Sequence, residues 1–129
     1  MLRLAQRAIG MQWEADVTWD VLLLRVRPGI ETAEDLSEDA VVPLGSPAAV
    51  RAAIQRACPA VQFTDETTGS LRVAGFTMRF SLGDEDPVRG ILLLISVECN
   101  GALDAITTLC AANDWRAFDM NTEDFLTRA

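Results

Sequence analysis

Histidine, lysine and tyrosine are all absent from this sequence. Without histidine there is no Ser-His or Cys-His catalysis and no imidazole metal ligand. Without lysine there is no Schiff-base nucleophile and no P-loop lysine. Without tyrosine there is no phenolic acid. GxSxG, GxGxxG and HExxH patterns are missing too. Cysteine is scarce, and Cys58, Cys99 and Cys110 form no CxxC pair. An odd count without a secretion signal points to free thiols in a reducing compartment, so a cytoplasmic location is expected. No apolar run approaches the ~20 residues of a membrane helix.

What is present is acid. Nineteen Asp and Glu face eleven bases, all of them Arg, for a net charge of −8. Such a chain repels phosphate backbones and anionic lipid surfaces, so neither nucleic acid nor membrane is an expected partner. Long-range attraction favours a basic protein partner. Acidity that serves only solubility is the plainer alternative.

The length of 129 residues suits one domain with a sizeable core. Residues 1–10 carry Arg3 and Arg7 and no acid. They read as an N-terminal extension, with Met11 a candidate start and residues 11–129 the domain. A short amphipathic helix with Leu2, Ala5 and Ile9 on one face is the other reading.

Hydrophobic periodicity supplies the elements. Val17 to Arg27 predicts a strand, buried on both faces from Val21 to Leu24 and stopped by Pro28-Gly29. Ser46 and Pro47 open a helix with Val50, Ala53, Ile54 and Ala57 on one stripe, ended by Pro59. A short strand is expected at Val61–Phe63. A hairpin follows, Ser70 to Val73 and Phe76 to Leu82, whose second arm alternates cleanly. Ile91 to Val97 predicts a central strand. A second helix is expected from about Gly101 to Asn113, capped by Asn100, with Leu103, Ile106, Thr107 and Cys110 on its stripe and Leu109 widening it. Trp115 to Asp119 predicts a last strand, and Thr122 to Arg128 a turn. The expected class is α+β: a two-layer sandwich of mainly antiparallel sheet with two helices on one face.

Glu98 and Asp20 adjoin apolar strands and are the candidate acid–base groups. The plainer assignment is that both face solvent or an arginine. Cys99 has no activating neighbour and reads as a small buried thiol. Asp84-Glu85-Asp86 fails the calcium-loop pattern, because its twelfth position is Ile95. No catalytic residue, metal or cofactor is therefore assigned. The run Glu31, Glu34, Asp35, Glu38 and Asp39 has no base between Pro28 and Val50. As local structure it fits a loop or one exposed helical turn; it is the candidate partner-binding site, the alternative being a solvated loop. Trp13, Trp19 and Trp115 are interface anchors if exposed and core residues otherwise.

The stretch LCAANDWRAFDMNTEDFL carries Leu109, Asn113, Trp115, Phe118, Asp119, Thr122, Asp124 and Phe125. With the central GFTMRFSLGDEDPVRGILLLI, it resembles small uncharacterised bacterial α+β proteins. Some of those resemble immunity proteins of toxin systems. The resemblance implies a small, acidic, non-enzymatic protein-binding module, and it carries over no residue of known role. A self-associating structural subunit is the alternative function. A small carboxylate-dependent enzyme is a third.

Overall fold

The structure is a computed structural model that describes residues 19–126. The extension expected at residues 1–10, Trp13, and the first two residues of the Val17–Arg27 strand lie outside these. The described chain runs β1 (Trp19–Val26), two 3-10 turns (Ala33–Asp35 and Glu38–Ala40), β2 (Val41–Val42), α1 (Pro47–Ala57), β3 (Gln62–Phe63) and β4 (Thr68–Val73). It continues with β5 (Phe76–Ser81), β6 (Ile91–Ile95), α2 (Asn100–Asn113), β7 (Arg116–Asp119) and β8 (Asp124–Phe125). The strands form one sheet in the order β3-β4-β5-β6-β1-β7-β8, with β2 paired to the end of β1. Every named pairing is antiparallel. The class is α+β, as the pattern predicts.

The two apolar runs lie side by side at the centre, in the register Trp19↔Ile95 to Leu23↔Ile91. Side chains alternate between sheet faces along a strand, so each run feeds two cores. Trp19, Val21, Leu23, Ile91, Leu93 and Ile95 face both helices. Leu22, Leu24 and Leu92 face the other way. β6 stops at Ile95, two residues short of the expected end, and Val97 is 41% exposed.

α1 starts where its cap predicts. The Ser46 hydroxyl accepts the Ala49 N–H at 3.1 Å, and Pro47 occupies the first turn. Val50 and Ile54 are buried against the sheet. The expected stripe of α2 is buried at Ile106 and Leu109 and packs partly buried at Cys110; Ala102 joins it, while Thr107 is exposed and Leu103 is 37% exposed. A Cβ on Gly101 would lie 3.1 Å from the Phe76 ring, so the start of the helix sits tight on Phe76. Cys99, not Asn100, holds the cap position, and its side chain makes no cap bond.

The hairpin turn is Ala74-Gly75, with Gly75 at a φ of 104° that glycine tolerates. The C-terminal turn contains a strand the pattern does not predict: β8 pairs Phe125 with Phe118, and their rings meet edge to face at 5.8 Å.

Candidate functional site

The acidic run is not a loose loop. It belongs to a strap, residues 27–41, that closes over the second sheet face. The Arg27 N–H donates to Ala40 O at 2.9 Å and seals its base. Between these points the backbone repeats one five-residue course. Thr32 and Ser37 are extended, a 3-10 turn follows each, and Leu36 and Val41 return to nearly identical dihedrals (φ −82°, ψ 127° and φ −88°, ψ 128°). Ile30, Ala33, Leu36, Ala40 and Val41 pack on Leu22, Leu24, Leu92 and Phe118. Glu31, Glu34, Asp35, Glu38 and Asp39 point out and are all exposed. The carboxylates are solvated, and the backbone beneath them, with its two 3-10 turns, is packed on the sheet.

Arginines fix the strap through its carbonyls. Arg116 Nη1 donates to Ile30 O at 2.7 Å, and its guanidinium stacks 4.1 Å from the Phe125 ring centre. Arg89 Nη2 donates to Glu38 O at 3.3 Å and Val41 O at 3.4 Å. Neither binds a strap carboxylate. Asp35 accepts the Thr32 hydroxyl at 3.3 Å. Among the described residues no base pairs with any of the five acids. The structure thus gathers all five predicted site residues on one fixed ridge. The arginines that hold it, Arg89 and Arg116, have no sequence signature, because their acceptors are main-chain atoms distant in sequence.

The candidate acid–base groups lie apart from one another. Glu98 is exposed in the loop before α2. Asp20 is half-buried on β1, and its carboxyl is raised above the usual range by burial first and by Asp119 second. The one buried acid of the described residues is Asp119, 5% exposed, which the pattern does not single out. Its Oδ2 accepts the Trp19 indole N–H at 3.1 Å, and its Oδ1 accepts the Asn121 N–H at 2.8 Å. This carboxylate clamps β1 to the β7–β8 turn. Trp19 and Trp115 are core residues, 2% and 4% exposed. Burial pushes the Cys110 thiol up to about 12, against a smaller opposing pull from Arg116. Among the described residues no three ligand-type side chains converge as a metal centre requires.

No protein-family model matches this sequence, and no curated protein or solved structure matches it either.

Proposed function

We propose that this chain is a non-enzymatic protein-binding module whose acidic strap receives a basic protein partner, in the manner of an immunity protein masking a toxin. The observation that carries the proposal is the combination of fixed backbone and free charge. Five carboxylates stand on a ridge held by packing and by two arginines, yet the arginines bind carbonyls, and among the described residues no base pairs with the carboxylates. Holding like charges together costs Coulomb energy, which a cationic partner offsets. A prearranged ridge also loses little entropy on binding. The immunity-type role rests further on the resemblance of the C-terminal stretch.

Capture from native cytosol tests this. The chain should retain a basic protein, and Glu34→Arg with Asp35→Arg should lose it while keeping the native circular dichroism spectrum. Capture of the same protein at the same yield by both versions would place the interface elsewhere.

A further inference from the structure

Asparagine occurs three times, at Asn100, Asn113 and Asn121, and only Asn100 is followed by glycine. What separates the three chemically is the main-chain nitrogen of the next residue, the atom placed to attack the asparagine side-chain carbonyl. After Asn113 that nitrogen is engaged: the Asp114 N–H donates to Cys110 O, and the Asn113 amide itself donates to Leu109 O at 3.0 Å. After Asn121 it is engaged too, the Thr122 N–H donating to Asp119 Oδ1 at 3.4 Å beneath a β-branched side chain. After Asn100 it is free. Asn100 opens α2, and the first bond of the helix runs from the Leu103 N–H to Cys99 O at 3.0 Å. The Gly101 N–H therefore belongs to the donors that a helix start leaves without an intrahelical acceptor, and among the described residues no other group accepts it. Gly101 has no Cβ to shield that nitrogen, and Asn100 and Gly101 are both exposed.

We propose that Asn100 is a site of spontaneous deamidation. The Gly101 nitrogen bonds to Asn100 Cγ, the side-chain amide leaves as ammonia with the Gly101 proton, and a cyclic imide closes. Water then opens the ring at either carbonyl. Cleavage of the new Cγ–N bond leaves aspartate in the ordinary main chain. Cleavage of the original peptide C–N bond leaves isoaspartate, with the main chain rerouted through the side chain. Ring closure needs the Asn100 ψ to leave the helical range, and because Asn100 is the first helical residue this frays only the first turn. The two products fit α2 differently. Aspartate adds a carboxylate to a first turn that has no acid, where the helix dipole favours it. Isoaspartate inserts one extra carbon into the main chain immediately before Gly101. That residue sits so close to the Phe76 ring that a Cβ on it would lie 3.1 Å away. The extra carbon therefore lifts the start of α2 off Phe76. The strap takes no part in this chemistry, which is independent of the basic-partner reading.

Peptide mapping by mass spectrometry of the full chain, aged at mildly alkaline pH, is the test. Asn100 should convert to aspartate and isoaspartate, with Asn113 and Asn121 at least about tenfold slower. In denaturant the lag of Asn113 and Asn121 should shrink, because the N–H groups that follow them lose their acceptors. An Asn100 that stays intact while a synthetic peptide of residues 97–103 converts completely overturns the proposal. So does conversion of Asn113 or Asn121 at the rate of Asn100 in the folded chain. The two aged forms are separated by chromatography. The aspartyl form should match the Asn100→Asp variant in melting temperature. The isoaspartyl form should melt lower and exchange the amide hydrogens of residues 101–104 faster. Two forms that melt and exchange alike would overturn the loss of the Phe76 contact.

Discussion

Replacing Leu36 by Ala probes whether the strap is part of the folded core. Leu36 sits between the two 3-10 turns, 8% exposed, over Leu22, Leu24, Leu92 and Phe118. The change removes three carbons, at about 0.8 kcal/mol each, or about 2.4 kcal/mol. The cavity term should be small, because the strap is an outer layer able to settle into the gap. Unfolding entropy near ~2.1 cal/mol/K per residue gives about 0.27 kcal/mol/K for this length. The melting temperature should then fall by about 9 °C. Thermal unfolding followed by circular dichroism measures it. The control is Glu34→Arg with Asp35→Arg, one turn away, which should leave the melting temperature unchanged because those side chains are exposed. Equal, negligible shifts in both variants would refute the packed strap and return the segment to a solvated loop.

Three other outcomes are expected. Leu93→Asp places an unpaired charge between β5 and β1 at a fully buried site and should cost about 3 kcal/mol or more in chemical denaturation; a soluble variant of near-native stability would remove β6 from the centre. Cys110, with a thiol pushed up to about 12, should react with a disulfide reagent at pH 8 far more slowly folded than unfolded; its folded value lies above the unfolded one, so ionisation opposes folding and stability falls as pH rises through the window from 9.0 to about 12. Asp65 accepts the Thr67 and Thr68 N–H groups at 2.9 Å each, and these bonds hold its carboxyl below the usual range. A depressed folded value stabilises above the unfolded one, so Asp65→Ala should lower the melting temperature at pH 7. The difference should shrink as pH falls below 3.8. An equal difference at both pH values would show that the turn bonds do not need the charge.

Much of the frame was legible because it is periodic. Phe76, Met78, Phe80 and Leu82 alternate strictly, and all four are buried on the helix side. The runs around Leu22 and Leu93 are apolar on every residue, which only a strand buried on both faces sustains. The Ser46–Pro47 start of α1 rests on local capping chemistry and needs no tertiary context. The strap escaped notice because its apolar residues are interleaved with acids. On α2 the helical period places Ile106 and Leu109 in the core, while the burial of Ala102 and the exposure of Leu103 depend on tertiary packing that the period does not carry. Asp119 could not be foreseen as the buried acid, since its partner Trp19 is 100 residues away. Of the site, the five carboxylates were visible in composition. What fixes them, Arg89 and Arg116 on main-chain carbonyls, was not.

In the proposed function the strap acts as a fixed anionic ridge towards a basic partner. Charge on such a ridge works mainly on the rate of encounter, and salt screens it, the Debye length being ~8 Å at ~0.15 M. The direct measurement is the association rate of the captured partner, by stopped flow across a salt series, with the native chain and with Glu34→Arg, Asp35→Arg. The native rate should fall steeply with salt, and the reversed chain should associate more slowly with a flatter dependence. Identical rates and identical salt slopes for the two chains would contradict it.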